Sequence, residues 1–173
     1  MAGELSTLDG VLVHLRAAAP DDIPALVRIR AAPEVYAHWR GGDDLAAAVE
    51  DDFAEPGIHA YVIEFEDAVV GWIQWQAEEE PDYRHASIDI YVDPAVHGQG
   101  IGTDAVRTLA RHLFTMHRHH RIEIDPAADN AAAIRAYTKV GFRPVGITRQ
   151  SERGPDGSWH DSLLMDLLAD EID

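Results

Sequence analysis

The segment that most constrains this chain is His97-Gly98-Gln99-Gly100-Ile101-Gly102. Upstream of it, Ala86–Val92 reads as a strand. Downstream, Thr103–Phe114 places Val106, Leu109, Ala110 and Leu113 on one helical face. A helix N-terminus presents free N–H groups and a partial positive charge, so it attracts anions. Glycines at alternate positions let a backbone approach phosphate oxygens and adopt φ > 0 without a Cβ clash. Strand, glycine loop and helix in this order suit a diphosphate. A P-loop is excluded, because no Gly-Lys-Ser/Thr is present. The Gly-x-Gly-x-Gly spacing and the mid-chain position also depart from the Rossmann fingerprint. On these residues alone, a plain glycine-rich turn remains open.

The rest of the chain reads as one domain over residues 11–170, preceded by a loose tail at 1–10. Val11–Arg16 reads as a strand, and Pro20-Asp21-Asp22 opens a helix with Ile23, Leu26, Val27 and Arg30 at helical spacing. A second helix runs from Asp43 or Asp44 to Phe53. Three strands follow, His59–Phe65, Val69–Gln76 and Ala86–Val92. After the helix Thr103–Phe114 come a short strand Arg121–Ile124 and a helix Ala131–Val140, capped by Asn130 and ended by Gly141. Phe142–Gln150 and Ser158–Leu168 are strands joined at Gly154-Pro155-Asp156-Gly157. The order β α α β β β α β α β β predicts an α/β fold, a mixed sheet with helices on both faces.

Bulk properties narrow the partners. The 173 residues include 14 Lys plus Arg against 31 Asp plus Glu, for a formal net charge of −17. Phosphate contacts need a basic surface, so no nucleic-acid partner is expected; the acidic surface either favours a cationic partner or is simply a generally acidic, soluble style. With no cysteine, neither a disulfide nor a Cys acyl-enzyme can form. No apolar run approaches the ~20 residues of a membrane span. Met1–Asp9 has no signal-peptide pattern, so a soluble cytoplasmic protein without membrane contact is expected.

A second segment, Asp129-Asn130-Ala131-Ala132-Ala133-Ile134-Arg135-Ala136-Tyr137-Thr138-Lys139-Val140-Gly141-Phe142, acts together with the glycine loop. The pair resembles the GNAT acetyltransferase superfamily, whose later helix reads Asn-x-x-Ala-x-x-x-Tyr-x-Lys-x-Gly-Phe. His97 departs from the arginine commonest at its position. The resemblance implies a GNAT fold, a central mostly antiparallel sheet with a splayed strand pair, and acetyl-CoA as co-substrate without a metal. It implies that the backbone of Tyr91 and Val92 pairs with the pantetheine arm. It further implies that His97, Gly98, Gln99, Gly100, Ile101, Gly102 and Thr103 form the pyrophosphate loop, and that Asn130 bonds the pantetheine. Tyr137 would return a proton to the leaving thiolate; a phenol is a weak acid close to a thiol in strength. Read without the motif, Tyr137 is a core aromatic beside Ile134 and Val140.

Asp89 stands in a strand that should be central, where an unpaired carboxylate costs several kcal/mol. It is therefore functional, as an acceptor of a proton from an ammonium, or ion-paired with Arg84 or His85. Ile88-Asp89, Trp39-Arg40-Gly41-Gly42, Gln74 and Ile124-Asp125-Pro126 resemble the aminoglycoside 6′-N-acetyltransferases. That likeness implies Asp89 as base or amine anchor, with Trp39, Gln74, Glu79 and Asp125 binding the acceptor. It implies acetyl transfer to a small cationic amine, such as an aminoglycoside 6′-amine, and an antibiotic-resistance role. Acceptors such as polyamines, siderophores, protein N-termini or lysines stay open, as does a non-catalytic acyl-CoA sensor, and as do monomer and homodimer. His112, His117, His119 and His120 read as a basic helix end rather than as metal ligands.

Overall fold

The computed structural model describes residues 5–173, so the part of the expected tail at Met1–Glu4 lies outside the described residues. Eight strands form one open sheet, ordered β1-β2-β3-β4-β5-β6-β8-β7. They are β1 (Leu8–Asp9), β2 (His14–Ala17), β3 (His59–Phe65), β4 (Ala68–Glu78), β5 (His85–Val92), β6 (Arg121–Ile124), β7 (Arg143–Arg153) and β8 (Trp159–Leu168). The helices are α1 (Ile23–Arg30), α2 (Pro33–Tyr36), α3 (Leu45–Ala54), α4 (Ile101–Thr115) and α5 (Ala131–Val140). Every neighbouring pair is antiparallel except β5–β6. No helix of the described residues is long and apolar enough to cross a membrane.

Strand alternation sends side chains to two cores. On one face Ile63, Ile73, Trp75 and Ile88 meet Ala105, Leu109 and Leu113 of α4, with Tyr137 and Val140 of α5. On the other, Val62, Trp72 and Tyr91 meet Leu26 and Ile29 of α1 and Val49 of α3. The mixed sheet with helices on both faces is therefore as the sequence predicts. The tail expectation is corrected at Leu8–Asp9, which pairs with β2. Its anchor is distant in sequence. The buried Asp104 carboxylate, in the first turn of α4, accepts from the N–H groups of Val11 (3.2 Å), Leu12 (2.7 Å) and Val13 (3.1 Å).

Buried charge also sets the segment after α2. Arg30, 1% exposed, bonds Asp52 of α3 at 2.7 Å and donates to the Arg40 carbonyl at 2.7 Å. Gly41 makes this approach possible, since a Cβ there would lie 2.5 Å from the Cβ of Ala48. Trp39 is thereby held edge-on to Tyr91, with ring centroids 4.8 Å apart.

Candidate active site

β5 and β6 pair only at Ala86↔Ile122 and Ser87↔Glu123. Past Ile124 the chain follows β8 instead. Leu163 donates its N–H to the Pro126 carbonyl at 2.9 Å, and Ala127 bridges Ser162. The two parallel strands part, and a cleft of about 440 Å³ opens between them.

The ladder to β4 decides which β5 groups face that cleft. Asp93 donates its N–H to Val70 at 2.7 Å. In a regular antiparallel pair, hydrogen-bonding residues alternate. Asp89 and Tyr91 therefore turn their N–H and C=O groups toward β4, while Ile90 and Val92 turn theirs toward the cleft. The Tyr91 carbonyl indeed lies 2.5 Å from where a Cβ on Gly71 would sit. This corrects the expectation for Tyr91, whose main chain is committed to β4 and whose ring supports Trp39.

At the next turn Gly98 (φ 78°) and Gly100 (φ 82°) take the left-handed conformation that glycine permits. Nothing lies within 4 Å of a Cβ built on Gly98. The first bond of α4 runs from the Asp104 N–H to the Gly100 carbonyl (3.0 Å), and no side chain caps the helix. The N–H groups of Ile101, Gly102 and Thr103 precede the helical ladder. His97 Nε2 donates to the Val92 carbonyl (2.9 Å), which ties the loop to the strand end. Uncapped backbone donors at a helix start, beside the open space above Gly98, form a place where an anion such as a diphosphate can be taken. Gln99 is exposed and its side chain lies outside the cleft wall, so only its backbone can take part.

From α5, Asn130 and Tyr137 reach the cleft. Asn130 Oδ1 accepts from the Ala133 N–H at 3.2 Å, so its carbonyl caps the helix. Tyr137 is 8% exposed and packs against Phe142, yet it also lines the cleft, which joins its two readings. Burial, then the charges of Asp89 and Asp125, push its phenol well above the ordinary value, so it stays protonated at neutral pH.

Asp89 faces Gln74 across the ladder. Burial raises its carboxyl pKa, and a hydrogen bond from Gln74 opposes that rise. Gln74 Oε1 in turn accepts from Trp72 Nε1 at 2.8 Å. Gln74 thus stands behind Asp89 rather than in the cleft wall. The ion-pair alternative for Asp89 is not realised. Arg84 bonds Glu79 and the carbonyls of His117 and Arg118, and His85 lies 3.5 Å from Glu123. Asp125 lines the cleft mouth. Partial desolvation, then the charges of Asp89, Glu123 and Glu152, push its carboxyl up to about 6.

Two wall carboxylates lie outside the expected set, Glu34 of α2 and Glu152 of β7. The β7–β8 register jumps between Thr148↔Ser162 and Glu152↔His160, with Gln150 at φ 49°. Glu152 lies just past this irregular stretch. His38 Nδ1 lies 3.9 Å from Glu152, and Arg40 donates to the Gly154 carbonyl at 3.1 Å, so the α2 segment and the β7–β8 hairpin meet across the mouth.

Two further expectations are corrected. Glu79 is exposed, 3.3 Å from Arg84, and follows the end of β4 that pairs with the start of β5, opposite the cleft. Of the histidines near the end of α4, His112, His117 and His119 pack among aromatic rings rather than forming a solvated basic cap. His59 stacks on Trp75 (4.1 Å), His117 packs edge-on to it (4.6 Å) and His112 packs against His117 (5.0 Å). Burial lowers the pKa of His59, His112, His117 and His119, the last to about 4. Among the described residues, no group of three or more His, Cys, Asp or Glu could hold a metal ion.

Comparison with known proteins agrees with this geometry. The acetyltransferase (GNAT) domain family matches residues 13–143. N-alpha-acetyltransferase RimI of Mycobacterium tuberculosis is 32% identical over 139 residues, covering 78% of this chain and 85% of RimI. Aminoglycoside N(6′)-acetyltransferase type 1 of Klebsiella pneumoniae is 36% identical over 88 residues, 50% of this chain but only 40% of that enzyme. The structure of AAC(6′)-Ib in complex with Parmomycin and acetyl-CoA superposes with a TM-score of 0.75 at 26% identity, covering 91% of this chain and 93% of that one. By its sheet, its splayed strand pair and the family match, this chain belongs to the GNAT acetyltransferase family.

Proposed function

We propose that the chain transfers an acetyl group from acetyl-CoA to a primary amine of a small cationic acceptor, by direct attack with both substrates bound. The observation that carries this reading is one cleft with two chemically different ends. One end is backbone N–H at Val92 and the start of α4; the other is Asp89, Asp125, Glu34 and Glu152. Bound acetyl-CoA supplies an acetyl thioester. The α4 amides hold its pyrophosphate, Asn130 its pantetheine. Asp89, its pKa raised, takes a proton from the incoming ammonium, directly or through water. The Val92 N–H donates to the carbonyl oxygen as charge develops there. Tyr137, held protonated, returns a proton to the departing thiolate.

Several carboxylates around one amine anchor suit an acceptor with more than one positive charge. Together with the likeness to the aminoglycoside enzymes, this favours an aminoglycoside 6′-amine. The likeness to RimI, which spans more of the chain, favours a protein N-terminus as the second reading. A panel of kanamycin-type aminoglycosides, polyamines, and neutral and basic peptides, followed by release of CoA thiol, separates them. Turnover concentrated on the aminoglycosides supports the proposal, and turnover confined to peptides supports the second reading. Coenzyme A binding without turnover of any amine means a sensor and overturns both.

A further inference from the structure

Arg30 of α1, 1% exposed, is the most deeply buried charged side chain among the described residues, and it lies outside the cleft wall. Its partner Asp52 of α3 is partly buried, 2.7 Å away. Stability alone does not account for the pair. Desolvation offsets much of the attraction between two such charges, and Arg30 Nε meets no acceptor among the described residues. Nor does α1 need the pair to join α3, since Leu26 and Ile29 already share an apolar core with Val49. What an apolar pair could not supply is direction. The Arg30 guanidinium donates to the Arg40 carbonyl at 2.7 Å, one residue past Trp39. Burial pushes the Asp52 carboxyl up, and the Arg30 charge and the Trp39 indole oppose that rise. The pair thus meets Trp39 both at the neighbouring main chain and at the ring.

The segment held in this way forms one side of the cleft. Glu34, Val35, His38 and Trp39 line it. The Trp39 ring stands edge-on to Tyr91, 4.8 Å away. Tyr91 and Asp89 point to the same face of β5 by strand alternation. Trp39 therefore overhangs the strand face that carries the proton acceptor. We propose that Arg30 and Asp52 are a positioning pair: through the Arg40 carbonyl they hold residues 33–39, Trp39 above all, where the incoming amine is received. The inference rests on the proposed amine-transfer reading and adds to it two residues that do not touch the acceptor. A wall displaced by about 1 Å can cost about a hundredfold in a reaction that depends on alignment.

Steady-state kinetics of the full chain, with kanamycin, spermidine and a basic peptide as acceptors, tests it. Removing one partner leaves a buried charge unpaired, so the informative variant is Arg30→Met combined with Asp52→Leu. Apolar replacement of both partners leaves stability about unchanged or raised, so its Tm should not fall. The KM of the acceptor that is turned over should rise at least about tenfold, with kcat and the KM for acetyl-CoA within about twofold. In fluorine spectra of the fluorotryptophan-labelled chain, the Trp39 resonance, assigned with Trp39→Phe, should move while those of Trp75 and Trp159 stay. Adding Trp39→Phe to the double variant should raise the acceptor KM little further. An unchanged acceptor KM in the folded double variant would overturn the inference while leaving amine transfer intact. Equal rises in both KM values, the mark of general loosening, would do the same. Should the double variant not fold, Gly41→Ala keeps both charges and puts a Cβ 2.5 Å from that of Ala48 and 2.9 Å from Arg30 Nη2. It must then show the same selective rise, or the inference fails. Release of CoA thiol with none of the acceptors would remove the amine-transfer reading and this one together.

Discussion

Replacing Asp104 with alanine should unfasten the N-terminal hairpin and reach the glycine loop through it. The carboxylate is 4% exposed and accepts three backbone N–H bonds, from Val11, Leu12 and Val13. Val11 and Leu12 are 87% and 45% exposed, so water can replace their bonds, and each loses about 1 kcal/mol. Val13 is 1% exposed, and its N–H is left unsatisfied at a cost of about 1–3 kcal/mol. The sum is about 3–5 kcal/mol. At about 2–4 °C per kcal/mol for a domain of this size, the Tm should drop by about 6–20 °C. Leu12 Cδ1 lies 3.7 Å from where a Cβ on Gly100 would be, so CoA affinity should fall as well. Thermal and urea unfolding measure the first effect, and CoA titration the second. Asp104→Asn, which keeps one carbonyl acceptor, should lose roughly half as much. A loss below about 1 kcal/mol in Asp104→Ala would refute the reasoning, since the hairpin would then be held by something else.

Asp89→Asn should lower kcat/KM by about 10²–10⁴, and Tyr137→Phe should lower kcat with little change in the KM for acetyl-CoA. Normal turnover in both at saturating amine would show the roles to be misassigned. Asp125 has a folded-state pKa near 6 against an ordinary 3.8, so its proton is held more tightly in the folded chain, and stability falls as pH rises through about 6. Asp125→Asn should therefore raise Tm at pH 7.5, with the gain shrinking toward pH 4, while weakening a polycationic acceptor. The histidines around Trp75 have the opposite sign. Their folded pKa values lie below 6.5, so the unfolded chain binds more protons in mild acid, and stability should fall as pH drops from 6.5 toward about 4. His119→Gln should flatten that fall in a series of melts, and an unchanged slope would count against it.

Much of the fold is legible in the sequence because periodicity, caps and turn residues act locally: the strands His59–Phe65 and Arg121–Ile124 and the helix Ala131–Val140 are found as expected. The start of α4 is less so. Glycine's poor helix propensity suggests a start at Thr103, whereas the left-handed Gly100 ends the loop and Ile101 already begins the helix. Leu8–Asp9 becomes a strand because Asp104, more than ninety residues away, pins the turn that follows it. Glu79 is misplaced by strand length, since β4 carries the acidic turn to the far end of β5. Glu152 leaves no local trace, for it reaches the cleft mouth only through the pairing of β7 with β8 across an irregular stretch, with Gln150 at φ 49°.

The most direct measurement is a titration of the isotope-labelled chain with coenzyme A, following backbone amide resonances. Saturable shifts at Val92 and at Gly98–Thr103, with the β7–β8 hairpin little affected, are expected. Unmoved amides along that stretch, or a saturable site elsewhere on the chain, would contradict the reading of the splayed strands as an acyl-CoA cleft.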